Sequence, residues 1–394
     1  MKYLRFALLL LLFPITLSAQ IFEKGILQIQ TQTAVDHVYN LEFEAAEKIA
    51  LELRKNYPQH PIPHFILGLN KWWQNFLSEK TNLYYTYIHL QLDSSLLKNK
   101  AFREKPRYKT QYTFLQFMAY ALKAKAYAAQ DEWWSAANAA RKLISYLKQG
   151  FKLMDDQVEF YFSSGIYHYY AEIYPQHRPI TKPFMIFFPN GDAQKGLQEL
   201  EKAASVVNLA QAEALFYLGY IYLDDEKQPA KGLKATRMLV QQYPNNTWFQ
   251  ADYAHALVYN QQFDEAEKIL RQLSIIYEKQ PQAFTQNITS AQSRYTSQVM
   301  LKVYLYQGKS RFYQHKYDEA LVLLDQSFLM AKLSDIKVRD YLAAATYYKA
   351  RCYDAKGDRE QAIIWYKKVL DMDENTLVRA EAKRCLRDGC GSSP

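Results

Sequence analysis

Apolar residues recur along this chain at the helical period. Ala266, Ile269, Leu270 and Leu273 run i, i+3, i+4, i+7, and Ala362, Tyr366, Val369 and Leu370 run i, i+4, i+7, i+8. Each is the stripe of an amphipathic helix. No segment sustains period-two alternation bounded by turn pairs, so the pattern predicts an all-α chain. Small residues pair twelve positions apart at Ala34/Ala46, Ala124/Ala136, Ala254/Ala266, Gly308/Ala320 and Ala350/Ala362. Gly219/Gly232 is the same pair with one residue more, and Gly165 and Gly196 mark a pair parted by an insert. Polar turns such as "QQFDEA" and "HKYDEA" lie between the members. Such a unit is two antiparallel helices touching at their small residues. Neither buries its stripe alone, so the hairpins must stack.

Some pairs carry more detail. Leu218-Gly219 is followed by Tyr222 and Pro244, and Ala350 by Tyr353, Ala362 and Tyr366. Pro58 follows Ala46, and Leu67-Gly68 lies one 34-residue repeat beyond Ala34. On these residues the chain resembles the tetratricopeptide repeat (TPR) family, and in particular its exported bacterial members. The resemblance implies a right-handed superhelical solenoid of about seven or eight stacked antiparallel helical hairpins. Successive first-helix small residues lie 35, 54 and 42 apart, so long helices or connections are expected near 82–110 and 278–297. The expected organisation is N-terminal hairpins over 20–208 with a Pro- and aromatic-rich insert at 173–192, C-terminal hairpins over 209–375, and a capping helix and tail over 376–394.

In that family the first helices line a concave groove, and positions one turn either side of the small residue face the ligand. Carried onto this chain, the peptide-binding groove is Tyr220, His255, Tyr259, Lys302, Lys309, Tyr313, Tyr347 and Arg351, with Phe216 and Asp224 in the same stripes. Rings interleaved with cations suit an extended peptide. The competing reading is that half of these rings only pack against neighbours. If the groove is open, charge reversal of Lys309 and Arg351 leaves stability nearly unchanged. The insert offers a second contact. Prolines 175, 179, 183 and 189 forbid a regular helix through it, and Phe184, Phe187 and Phe188 are too apolar for water. This loop either plugs its own hairpin or docks on a partner or membrane surface.

Composition adds the compartment. Lys2 and Arg5 precede an apolar run from Phe6 to Leu17, then Ser18 and Ala19. That is a signal peptide over 1–19, too short to span a bilayer. The expectation is an exported protein of the periplasm or cell envelope, with no lipid anchor and with peripheral envelope association open to it. Of 394 residues 49% are apolar and 33 are Tyr, which suits a folded core. Net charge is +9, or +7 without the leader's two cations. The charges are interspersed except at Lys98, Lys100, Arg103, Lys105, Arg107 and Lys109, which meet only Glu104. No nucleic-acid motif accompanies them, and a solvated loop is the simpler reading. Cys352, Cys385 and Cys390 are an odd set, so an oxidising compartment allows one pair among them.

Catalytic patterns are absent: the chain has no HExxH, GxSxG or phosphate-binding glycine loop, and no cofactor is implied. His60 and His64 are four apart, but Pro61 and Pro63 place His60 before a helix and His64 just inside it, against a shared metal. His168 reads as a hydrogen-bonded core residue. Trp72/Trp73 and Trp133/Trp134 read as packing, with one ring of each pair partly exposed. The sequence therefore supports a non-enzymatic scaffold for a protein or peptide partner. The alternative is a glycan-binding envelope protein that stacks sugars on exposed aromatics.

Overall fold

The computed structural model describes residues 25–77, 84–154, 157–177, 190–279, 296–333, 339–372 and 377–390. Among them are seventeen α-helices and no strand. Sixteen of the helices form eight hairpins. They are α1 (Ile26–Tyr39) with α2 (Phe43–Asn56), α3 (Ile62–Phe76) with α4 (Tyr85–Asn99), α5 (Lys109–Ala129) with α6 (Trp133–Gly150), and α7 (Glu159–His177) with α8 (Ala193–Ala204). The array continues through α9 (Gln211–Tyr220) with α10 (Pro229–Gln242) and α11 (Thr247–Tyr259) with α12 (Phe263–Lys279). It ends with α13 (Ser297–Tyr313) and α14 (Tyr317–Leu333), then α15 (Arg339–Ala355) and α16 (Arg359–Asp371). The last helix, α17 (Leu377–Asp388), packs on α15 and α16, and Gly389 stops it at φ +72°. The architecture is the expected all-α helical solenoid.

The small pairs lie where the helices of a hairpin cross. Ala34, Ala46, Ala254, Ala266, Ala320, Ala350 and Ala362 are fully buried. In the interrupted hairpin, a Cβ on Gly165 would stand 2.8 Å from the Gly196 carbonyl oxygen, so the backbones touch. Five of the hairpins turn the same way. Seven residues after the first small residue the chain enters the left-handed region, at Leu41 (φ 57°), Asp131 (61°), Gln261 (59°), His315 (60°) and Gly357 (83°). The next N–H reaches back to close the helix end, from Glu42 to the His37 carbonyl (2.8 Å) and from Gln262 to that of Leu257 (2.9 Å). Only one of these five turns uses glycine.

The pair with an extra residue shows what the insertion does. Ile221–Asp225 is a π-helical turn, closed by the Glu226 N–H on the Ile221 carbonyl at 2.8 Å. The left-handed residue shifts to Lys227 (φ 52°), and Gln228 reaches back to Tyr222. One added residue is absorbed as a bulge, and the hairpin crossing stays in place.

The insert needs one correction. α7 runs through Pro175 to His177, because a proline in the last turn removes one backbone bond from a helix about to stop. Phe184, Phe187 and Phe188 lie outside the described residues, as do the apolar N-terminal run and residues 280–295. The chain rejoins at Asp192, whose N–H donates to the His168 carbonyl (3.0 Å) and whose carboxylate caps α8 by accepting from the Lys195 N–H (2.8 Å). The connection before α5 holds two short 3-10 turns, Lys100–Phe102 and Pro106–Tyr108. There Lys105 lies over the rings of Phe102 and Tyr108, and Lys98 donates to the Pro58 carbonyl at 2.7 Å.

A simple solenoid touches only its neighbours, but this one returns on itself. Asn246 donates to the Tyr39 carbonyl (2.7 Å), the Asn245 side chain to Glu42 (3.0 Å) and the Tyr243 hydroxyl to Asp36 (3.0 Å), across about 200 residues of chain. Trp73 and Phe76 of α3 meet Phe249 and Trp248 of α11 edge to face at 5.8 and 4.8 Å. Helices α1 to α11 thereby close into a ring.

Two stability outcomes follow. Gln261→Gly is expected to raise stability by about 0.5–1 kcal/mol, because it relieves an exposed left-handed residue at some cost in chain entropy; thermal denaturation reads it. Asn246→Ala removes both the cap on the Phe249 N–H and the bond to Tyr39. Urea unfolding is expected to show a loss of about 2–3 kcal/mol.

Candidate functional site

The expected groove residues lie on the inner faces of α9, α11, α13 and α15. The structure brings most of them together, but in contact with one another and out of water. Tyr220 is exposed, and Tyr259 and Tyr313 are partly so. His255, Lys302, Lys309, Tyr347 and Arg351 are buried, each 5% exposed or less. The expectation of an open, ligand-facing stripe is corrected at these five. The reason is α13, which packs against α11, α12, α14 and α15 and buries fifteen of its seventeen residues. An open groove would leave one face of that helix in solvent.

Two lysines on α13 organise the interior. Lys302 is fully buried, paired to Asp252 at 2.7 Å and seated 3.6 Å from the Trp248 ring centre. Burial pushes its ammonium down to about 8 against the pull of Asp252. Lys309, two turns on, donates to His255 Nε2 (2.6 Å) and the Tyr259 hydroxyl (3.0 Å), and faces the Tyr259 and Tyr348 rings at 4.3 and 5.0 Å. Burial lowers it to about 7, with Asp224 opposing. His255 stacks flat on Tyr306 (4.1 Å, 5°), and burial beside Lys309 keeps it neutral, well below the usual histidine range. The Tyr259 hydroxyl also reaches Asp224 at 3.5 Å. Asp224 lies in the π-helical turn, so the extra residue of that hairpin delivers the acid that faces Lys309.

The ladder continues through Tyr313 and Tyr348, whose hydroxyls meet at 2.8 Å. Arg351 then donates to the Tyr347 hydroxyl (3.0 Å) and lies 5.0 Å over Phe312. Tyr347 in turn approaches Cys385 Sγ at 3.9 Å. Cys385 is disulfide-bonded to Cys390, and Cys352 is a buried free thiol raised by burial to about 12. Sequence reasoning missed Trp248, Asp252, Tyr306, Tyr341 and Tyr348. The inner-face rule named positions one turn from the small residue, whereas these come from faces that only a tightly curved stack presses together.

Elsewhere the histidines go to separate partners. His60 and His64 bond Gln111 and Gln91, each at 2.8 Å. His168 donates from Nδ1 to the Glu199 carboxylate (2.7 Å), and the Ser164 hydroxyl lies 3.1 Å from the same nitrogen. Serine and acid thus share one ring nitrogen and bond each other at 2.7 Å, which is core bonding rather than a nucleophile relay. Among the described residues no group of three His, Cys, Asp or Glu could hold a metal, and no helix is long and apolar enough to cross a membrane. Trp73 is buried beside a half-buried Trp72, but Trp133 and Trp134 are 66% and 92% exposed. The expectation of one packed ring in that second pair is corrected. α6 buries only Ala139, Leu147 and Gly150, and among the described residues nothing covers either ring.

Charge burial makes stability depend on pH. In the unfolded chain both lysines hold protons up to about 10.5, whereas folded Lys302 and Lys309 release them near 8 and 7. The unfolded state therefore binds more protons in this window, and stability rises with pH through it. Buried Tyr306 and Tyr348 and half-buried Tyr341, all raised, reverse the trend once unfolded tyrosines ionise near 10. Melting temperatures from pH 6 to 11 should peak between 8 and 10. Lys302→Met leaves half-buried Asp252 without its cation, with an expected loss of about 3 kcal/mol by chemical denaturation.

Comparison with known proteins bears on the same region. No curated protein matches the chain. The family model of the tetratricopeptide repeat matches residues 299–375. This span runs from inside α13 to just beyond α16, the two hairpins that carry Lys302, Lys309, Tyr347 and Arg351. Repeats of this kind generally mediate contacts between proteins, and residues 299–375 are similar to them.

Proposed function

We propose that this chain is an exported, non-enzymatic scaffold of the cell envelope that holds a protein partner against the exposed face of α6. The observation that carries the reading is the tryptophan pair at the start of that helix. Trp133 and Trp134 stand in solvent on a helix that buries only three of its eighteen residues. Large rings left in water mark contact surfaces more often than chance exposure does, and tryptophan is enriched where binding energy concentrates. The tetratricopeptide match supports a protein partner as the kind of ligand. Export is supported by the charged, apolar and small-residue order of the first nineteen residues. The Cys385–Cys390 disulfide is of the sort that oxidising compartments keep.

The inner ladder takes a structural role in this reading. It stiffens the C-terminal hairpins that present the array, and Tyr220 is the member left open for contact. A sugar ligand is the second reading, favoured by the same two exposed rings.

The test is co-purification of the tagged protein from its native envelope, followed by mass spectrometry. The double variant Trp133→Ala/Trp134→Ala is expected to lose the retained protein while melting within about 0.5 kcal/mol of wild type, as exposed substitutions do. Retention unchanged in the folded variant would refute the α6 contact. Binding to soluble oligosaccharides with no protein retained would favour the sugar reading.

A further inference from the structure

The ring closed by the return contact encloses a cavity of about 260 Å³ between α1, α3, α5, α6, α7 and α9. Its walls are apolar and largely aromatic, with Phe65, Leu69 and Trp72 from α3, Leu122 from α5, and Phe162 and Ile166 from α7. Five of the lining side chains carry a polar atom: Tyr39, Trp72, Lys125, Glu213 and Tyr217. The Tyr39 hydroxyl already donates to one oxygen of Glu213 at 3.0 Å. The other oxygen pairs with the Lys125 ammonium at 3.8 Å, and Tyr217 also bonds that ammonium, so a bound carboxylate would share it with both. The Lys125 side chain keeps 45% of its surface open to solvent.

We propose that this cavity binds a medium-chain aliphatic carboxylate, with its head on Lys125 and its tail between α3, α5 and α7. The dimensions set the chain length. At about 30 Å³ for each water-sized group, the space takes roughly eight or nine such groups, a chain of about eight to ten carbons. The sparse polar lining sets the class. A peptide would bring an amide at every residue, and buried amides without partners are costly. A ligand with one charged end and an apolar body asks only for what Lys125 and the rings supply. This site is separate from the α6 contact, and either reading can stand without the other.

Calorimetric titration with sodium decanoate tests it, with decanol as the uncharged probe. Wild type is expected to bind one decanoate. Lys125→Met should weaken decanoate at least about tenfold and leave decanol unchanged, because a charge-assisted bond is lost and the walls are kept. Ala121→Phe, which fills the cavity from α5, should abolish binding of both. A second readout, which begins from the wild type, is quenching of tryptophan fluorescence by bromine-labelled decanoate. It should saturate in wild type and largely vanish in Trp72→Phe. Absence of saturable decanoate binding by wild type would overturn the proposal. So would equal decanoate affinity in Lys125→Met, or quenching untouched by Trp72→Phe.

Discussion

Two helix backbones can lie against each other only where neither carries more than a methyl group at the crossing. That steric limit orders this molecule. It places the small pairs, and the pairs place the reversals seven residues on, where the chain turns left-handed even at Leu41, Asp131, Gln261 and His315. Four non-glycine residues hold a strained backbone state because the crossing on one side and the next helix on the other leave the turn no alternative. The Ile221–Asp225 bulge is the same limit under perturbation. An added residue distorts hydrogen bonding within one helix before it moves the point where two helices touch.

The curvature that follows from this spacing has an electrostatic cost. First helices stacked this tightly press their inner faces together, so α13 must bury two lysines that a shallower stack would leave in solvent. The array meets the charge with what lies within reach. Lys302 has an acid and an indole face, whereas Lys309 has a neutral imidazole, a phenol and a more distant acid. Tyrosine suits such a site, since its ring fills volume and its hydroxyl accepts a proton's share of the field. The abundance of tyrosine thus reflects a filled interior more than an open surface.

The fold was legible in the chain because a hairpin's requirements are local: a stripe, a small residue, a polar turn. The capping helix was readable for the same reason. Less could be read of the site. Which stripes face inward was apparent from the small pairs, but whether an inward face stays wet depends on curvature, which accumulates over several hairpins. Lys309 and Arg351 were therefore expected in solvent and are buried. Trp133 and Trp134 failed in the opposite sense, because nothing in their own helix says that no neighbour will cover it. The cavity had no local signal at all, since its walls come from six helices brought together by bonds between residues about 200 apart.

That long bridge also changes how the molecule must assemble. In a linear array each unit needs only its neighbour, so order can start anywhere and spread, and a broken end costs only itself. Here Tyr39 and Asn246 cannot meet until everything between them has been threaded into place. Closing so long a loop is an entropic toll collected late, after most local contacts exist. The N-terminal hairpin emerges first from the ribosome and has to wait for residues made much later. An early product of synthesis would thus carry the unfilled aromatic faces of Trp73 and Phe76, which makes the half-made chain, rather than the finished one, the species most in need of a chaperone.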